Sequence, residues 1–249
     1  MKLGISYNLF DGEELLESSI KSVRNSAEHI NVIYQKISNW GEPCSKNLED
    51  LLSDLVKKKL VDKIYCYSPK KTSAGKNELH KRNIGLNIAK RRFCSHFLTM
   101  DCDEFYQKQQ FDEAKKFIIN NKIEASSCKF INYIKQPTWQ IQEDPKMYIP
   151  FITKINFLTK LSRKSYFPVL VDPTRKMNGD KKFKFFEAPD LFMNHMWGVR
   201  NNLNKKVNNS SSKKYLDPDF IAQVLDYQYP NKFLGSDVLE VENVFNVKI

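Results

Sequence analysis

Across its first hundred residues the sequence switches repeatedly between a hydrophobic period of two and one near three and a half, with short polar breaks between segments. Leu3 to Tyr7 reads as a strand. Asp11 and Glu14, three residues apart, resemble a capping box, and Leu16, Ile20 and Val23 then share one face of a helix from about 12 to 25. Ile30 to Ile37 is a β-branched and aromatic run, hence a second strand, and Ser38-Asn39-Trp40-Gly41-Glu42-Pro43 breaks it. Ser45 is placed to cap a helix whose stripe is Leu48, Leu51, Leu52, Leu55 and Val56, with Lys57 to Lys59 at its negative end. Lys63 to Tyr67 reads as a third strand, about 77 to 92 as a third helix, and His96 to Met100 as a fourth strand stopping at Asp101.

Parallel strands can be joined only by a long crossover over the sheet face, so strands that alternate with helices imply a mainly parallel sheet. The expected class is α/β: a Rossmann-related single domain with helices on both faces of its central sheet, of the kind that binds nucleotides. Beyond residue 105 the pattern becomes mixed β/α. A helix near 112 to 121 is followed by apolar runs at Ser127 to Ile134, Met147 to Leu161, Tyr166 to Val171 and Phe183 to Phe186, which read as strands and hairpins. Asn201 to Lys214 is polar, and its middle reads as a loop or a mobile helix end.

With 249 residues, 41% of them hydrophobic, the chain can bury a core without disulfides. Its five cysteines, at 44, 66, 94, 102 and 128, include no C-x-x-C pair, which excludes a thiolate zinc site and suits a reducing cytoplasm. No uncharged run exceeds the nine residues from Leu191 to Val199, so neither a membrane span nor a secretory signal is expected. The net charge is +11, and Lys57 to Arg92 alone holds twelve Lys and Arg against Asp62 and Glu78. Such a face attracts phosphate in any form, whether nucleotide, nucleic acid or anionic lipid, and equally suits a merely solvated surface.

Chemistry concentrates at Asp101-Cys102-Asp103-Glu104, where open α/β sheets place ligands, outside the carboxyl ends of the strands. Alternate residues of a strand point the same way, so Asp101 and Asp103 can converge on Mg²⁺ or Mn²⁺ shared with a substrate phosphate. The competing reading is a solvated acidic turn. A second Asp-x-Asp, Asp217-Pro-Asp219, has no strand before it.

His80-Lys-Arg-Asn-Ile-Gly-Leu-Asn-Ile-Ala-Lys90, followed by Phe97-Leu-Thr-Met-Asp-Cys-Asp-Glu-Phe105, resembles the Arg-Asn-x-Gly, Ala-Lys and Asp-x-Asp signature of family 2 type glycosyltransferases with the GT-A fold. The resemblance covers about residues 1 to 106, and His195-Met-Trp-Gly-Val-Arg200 matches a further His-Met-x-x-Val-Arg segment of that group. It implies a GT-A-like domain whose residues 1–106 bind a nucleotide sugar and whose residues 107–249 bind the acceptor and supply catalysis. It further implies that Asp103 holds the metal, that Asp101 lies beside the ribose or the metal, and that His195 completes the metal site. On its own apolar stretch, a lone histidine such as His195 is more often a hydrogen-bonded core residue.

The same resemblance places the donor at Asn8, Asn39, Arg82, Asn83 and Asp101. Arg82 suits a phosphate or a nearby carboxylate, Asn83 a neighbouring loop, and Arg200 a phosphate or solvent. Glu187 and Asp190 are the candidates for the base that deprotonates the acceptor, with Asp172 and the Glu143-Asp144 pair in reserve. Trp139 and Trp197 suit a sugar platform or, more commonly, the core. The activity so implied is a cytoplasmic, metal-dependent, inverting glycosyltransferase of surface polysaccharide or lipopolysaccharide synthesis. It would use Mn²⁺ or Mg²⁺ and a nucleoside-diphosphate sugar, meet anionic membrane peripherally and bind no nucleic acid. An Asp103→Ala change is expected to abolish transfer with little effect on stability. The alternatives are a nucleotidyltransferase, against which stands a loop after strand one without Lys or Arg, and a basic nucleic-acid or membrane-binding module, against which stands the absence of a known motif.

Overall fold

The computed structural model describes residues 1–177, 182–210 and 218–249. Its first half follows the expected alternation: β1 (Leu3–Leu9), α1 (Glu13–Val23), β2 (His29–Tyr34), α2 (Leu48–Lys57), β3 (Lys63–Cys66), α3 (Ala74–Arg91) and β4 (His96–Asp101). The strands lie in the order β3-β2-β1-β4, all parallel, and a short β9 (Thr153–Lys154) adds to β4 antiparallel. All seven residues of β1 are buried, as a strand covered on both faces must be.

One face of β1 is apolar through Leu3, Ile5, Tyr7 and Leu9, and the other is pared down to Gly4, Ser6 and Asn8. The reason is α3, which lies directly on that second face. A Cβ at Gly85 would stand 1.8 Å from Ser6 Oγ, and one at Gly4 2.7 Å from Ala89 Cβ. The polar atoms trapped in this contact are satisfied: Ser6 Oγ donates to Asn31 Oδ1 at 2.7 Å, and Asn31 Nδ2 donates to the Gly85 carbonyl at 3.3 Å.

The second half builds a further sheet from β5 (Glu104–Phe105), β6 (Ala125–Ile134), β7 (Trp139–Ile141), β11 (Phe192–Gly198) and β12 (Val238–Glu240), in the order β12-β7-β6-β11-β5. β8 (Ile149–Pro150) and β10 (Phe183–Phe186) also pair with β6. The helices are α4 (Lys108–Asn120), α5 (Leu203–Asn209) and α6 (Pro218–Asp226). β6 is its centre, parallel to β10 and β11 and antiparallel to β7 and β8.

Three local expectations are corrected. Gly12, at φ 87, is the N-cap of α1, and a side chain there would run into the Arg200 guanidinium; Asp11 makes no cap and instead pairs with Lys205 at 3.2 Å. Asn47, not Ser45, precedes α2, and Ser45 Oγ accepts the Asn47 N–H one turn early. Met147 to Leu161 forms only the two short strands β8 and β9, and Tyr166 to Val171 contributes a single bridge from Val171 to Tyr148. Pro150 and Pro168 lack the N–H a ladder needs, and Phe151, Ile152, Leu161 and Phe167 are buried from irregular chain instead. The expected mobile helix end falls partly in α5 and partly, with Asp217, outside the described residues. Among the described residues no helix is long and apolar enough to cross a membrane.

Candidate functional site

A cleft opens at the carboxyl edge of β1 and β4, lined among others by Asn8, Gln35, Asn39, Lys81, Asp101, Asp103 and Lys206. The parallel register Asn8↔Asp101 sets the first and last strands of the motif side by side at its floor. Both amide atoms of Asn8 are buried without a hydrogen-bond partner, as are Gln35 Oε1 and Asn209 Oδ1 on the same walls. Buried polar groups are normally paired, so this convergence marks a place where a polar ligand or water completes the set.

Asp101 and Asp103 meet different surroundings. Asp101 Oδ2 accepts from Arg82 Nη2 at 3.0 Å and from Arg175 Nη2 at 2.5 Å. Burial alone would raise its pKa, but the two guanidinium groups hold it down at about 2. Arg175 continues to Glu104, contacting both carboxylate oxygens at 2.5 and 3.0 Å, and Arg82 continues to Glu78 at 2.6 Å. Glu104 is fully enclosed, and burial leads the influences that push it up to about 7 although Arg175 opposes it.

Asp103 Oδ2 accepts from Arg200 Nη2 and from Lys206 Nζ, the latter at 2.8 Å. Those cations and His195 overcome the burial penalty and keep Asp103 well below the usual carboxylate range. Its other oxygen, Oδ1, faces His195 Nε2 at 4.0 Å. The strand pairing His195↔Glu104 brings them together, and the Met196 N–H clamps the Asp103 carbonyl at 2.8 Å. His195 Nδ1 meets Asn132 Oδ1 at 2.9 Å, and Asn132 Nδ2 in turn donates to Glu143 Oε1 at 2.5 Å. An amide oxygen can only accept, so Nδ1 carries the proton and the Nε2 lone pair points at the gap. Burial pushes the imidazole down to about 4, which keeps it neutral near pH 7.

Among the described residues no three His, Cys, Asp or Glu side chains stand close enough to hold a metal by themselves. Asp103 Oδ1 and His195 Nε2 are two donors of suitable kind, the number a cation shared with substrate phosphate asks of a protein.

The structure thus gathers Asn8, Asn39, Asp101, Asp103 and His195 around one edge, while Arg82, Asn83 and Arg200, the other expected donor residues, are engaged by the protein itself. The Arg82 side chain is 0% exposed and donates to Asp101, Glu78 and Thr99, bracing the cleft floor. Asn83 fastens the Leu161 backbone in both directions. Arg200, its side chain 1% exposed, pairs with Asp103 and is closed off from solvent. Asp172 caps the turn at Pro173–Arg175 by accepting from the Thr174 N–H at 2.8 Å. Glu187 and Asp190 are exposed on the turn between β10 and β11, outside the cleft lining. Trp139 stacks on Tyr229 and Trp197 on Phe220, and both belong to a packed cluster.

Sequence reading missed Gln35, Lys81, Arg175, Lys206 and Asn132. Lys81 stood next to Arg82 in a basic helix and Lys206 next to Lys205, so periodicity gave a usable hint for each. Nothing in the sequence connects Arg175 to a carboxylate 74 residues earlier. At the rim, Trp40 Nε1 donates to the Ser210 carbonyl at 3.0 Å, bridging the loop after β2 to the end of α5.

No family model and no curated protein sequence matches the chain. Among solved structures, S. aureus TarS 1–349 in complex with UDP is similar with a TM-score of 0.51 at 10% identity, over 90% of this chain and 70% of that one. The fold is GT-A-like. S. aureus TarS gives a TM-score of 0.50 at 11% identity, over 90% of this chain and 42% of TarS, so the GT-A-like chain spans about two fifths of that protein. The likeness to GalNAc-T7 with UDP, GalNAc and Mn²⁺ is looser, with a TM-score of 0.46 at 12% identity over 93% of this chain and 52% of that one.

Proposed function

We propose that this chain transfers a sugar, with inversion, from a nucleoside-diphosphate sugar to a hydroxyl of a glycan or lipid-linked acceptor, with surface polysaccharide or lipopolysaccharide as the acceptor class. The observation that carries this reading is the cleft itself, where the unpartnered Asn8 amide stands beside Asp101, Asp103, Lys81 and Lys206 at the carboxyl edge of a parallel sheet. Amides offer both donor and acceptor, which suits a base or ribose edge at Asn8, Gln35 and Asn39. Lys81 and Lys206 supply positive charge for a diphosphate, and Lys81 is buried, which strengthens its field. The TarS structure that shares the fold holds UDP, in support of the same ligand class.

Asp103 Oδ1 and His195 Nε2 are the atoms that would hold Mn²⁺ or Mg²⁺ together with donor phosphate oxygens and water. Bound there, the cation supplies neutralisation of the charge that develops on the leaving diphosphate. Asn132 fixes the ring and its tautomer for that task, and Arg200 orients the Asp103 carboxylate through its other oxygen. Asp190 and Glu187 are the proposed acceptor-side bases, carried on the turn that leads into β11. The five cysteines are unpaired, in keeping with the cytoplasmic setting that goes with this reading. A nucleotidyltransferase is less well supported, since Phe10-Asp11-Gly12-Glu13 after β1 offers no cation to a triphosphate.

Thermal unfolding in the presence of nucleoside diphosphates and nucleotide sugars, with and without Mn²⁺, tests the reading, because a ligand of the native state must raise its apparent stability. A shift with one base, enlarged by Mn²⁺, is expected. His195→Ala should remove the Mn²⁺-dependent part while changing the stability of the free chain by less than about 1 kcal/mol, the imidazole being partly exposed. No shift with any nucleotide, alongside a salt-sensitive shift with oligonucleotides, would replace the proposal with a nucleic-acid-binding role.

A further inference from the structure

Residues 79–100 and 145–171 contain no Asp or Glu, and each stretch carries five Lys or Arg. The fold joins them along one edge. β9 pairs with β4 in the register His96↔Lys154, and the Ile155 N–H extends the ladder by donating to the Ser95 carbonyl at 2.9 Å. Lys90, in the last turn of α3, donates Nζ to the Phe157 carbonyl at 3.1 Å and to the Thr159 carbonyl. The turn at 156–159 is thereby fastened beside the end of α3, where Phe93 follows.

Three large apolar side chains project from this edge: Phe93 is 85% exposed, Phe157 90% and Leu158 84%. Both turns that carry them are built firmly. Asn156 Oδ1 accepts the N–H groups of Leu158 and Thr159, each at 2.9 Å, and Thr159 Oγ1 accepts the Asn156 N–H at 2.9 Å. Phe93 sits at φ 55, just past α3, where its own N–H donates to Lys90 and the Cys94 N–H donates back to Ala89. That geometry is a helix stop that favours glycine. A phenylalanine there disfavours its own backbone and buries nothing within the chain, so its use lies outside the chain.

We propose that this edge docks on an anionic bilayer, with Phe93, Phe157 and Leu158 entering the boundary between headgroups and acyl chains. Lys90, Arg91 and Arg92 immediately precede Phe93, and the exposed Lys154 and Lys160 bracket the turn that carries Phe157 and Leu158, which supplies cationic charge beside the tips for anionic headgroups. Among the described residues, the carboxylate paired with this group is Glu124, 3.2 Å from Lys154. The shape favours a bilayer over a protein partner, because the apolar groups are projecting tips on two turns. A second copy of the chain would set one cationic surface against another. The surface lies at the start of β4, whereas the cleft lies at its end, about 17 Å away at strand spacing. An acceptor held at that height stands clear of the headgroups, on an extended glycan.

The proposal is separable from the donor reading, since vesicle binding by the full chain requires no nucleotide. Flotation with phosphatidylcholine vesicles and with phosphatidylcholine–phosphatidylglycerol vesicles is the test. Binding is expected only to the anionic vesicles, and it should weaken with salt. The triple variant Phe93→Ser, Phe157→Ser, Leu158→Ser should bind them at least about tenfold more weakly, with an unchanged unfolding transition and unchanged UDP binding. A second variant, Arg91→Glu with Arg92→Glu, keeps the tips and should lose the anionic preference. Failure of the unaltered chain to bind anionic vesicles at low salt would overturn the proposal. So would equal binding by the triple variant, or a dimer in light scattering that the triple variant abolishes.

Discussion

The cluster beneath the cleft floor and the cluster on its wall are built around two aspartates only two positions apart, yet they are wired differently. Under the floor, Asp101 and Glu104 share Arg175, and Asp101 and Glu78 share Arg82, so the charged groups mainly satisfy one another. On the wall, Asp103 gives one oxygen to Arg200 and Lys206 and leaves the other facing an imidazole lone pair across 4.0 Å. A closed network fixes geometry, whereas an open one keeps donors for something that arrives later. The two aspartates of one Asp-x-Asp motif thus sit in networks of different kinds, and the proposed metal site uses the open one.

Removing a partner from the closed network should have the largest effect. Arg175→Ala leaves the buried Glu104 without its guanidinium partner and Asp101 with Arg82 alone, and a loss of about 3–5 kcal/mol in urea unfolding is expected. A loss under about 1 kcal/mol would show that the floor is not a closed network at all. Asp103→Ala comes next, and here the structure corrects the expectation of unchanged stability. The Arg200 side chain is 1% exposed and cannot follow its charge into water, so a cost of about 2–4 kcal/mol is expected, with Lys206, at 30%, relaxing outward. Asp103→Asn keeps the shape and should cost less, while still losing the Mn²⁺-dependent nucleotide shift. Comparing the two by calorimetry separates bracing from binding at one position.

The smallest effect is a pH dependence. Asp101 titrates at about 2 in the folded chain, below an ordinary aspartate near 3.8, so its contribution is fully present above the ordinary value. That stability, about 2 kcal/mol, is lost as pH falls from about 4 through 2. Asp101→Asn should therefore be less stable at pH 7 and converge on the unaltered chain near pH 2. Parallel unfolding curves across that range would mean that the arginines do not hold the carboxylate as described.

This contrast also explains what the sequence could reveal. The parallel strands were legible because short β-rich runs alternate with helical ones, and the Asp-x-Asp was legible because it ends the last of them. Arg82 was readable as a cation near a carboxylate or phosphate, but its burial was not, since the second cation of the network, Arg175, sits in a turn remote in sequence and unmarked by any periodicity. The second half was harder for a related reason. Its apolar runs at Phe151, Ile155 and Phe167 pack from irregular chain, where prolines interrupt the ladder that alternation would otherwise indicate. The two tryptophans, weighed toward the core on the usual habit of that side chain, are half-buried and pack against the cluster of Tyr227 and Phe233.

The close contacts of Gly85 with Ser6 and of Ala89 with Gly4 seat the middle of α3 on β1. One end of the helix carries Glu78, Lys81 and Arg82 to the cleft, and the other carries Lys90 and Arg91 to the edge that bears Phe93. A methyl group at position 85 would meet Ser6 Oγ at 1.8 Å, lift the helix from its seat and shift both ends together. A nucleotide titration and a vesicle flotation, otherwise unrelated assays, would then register the same substitution.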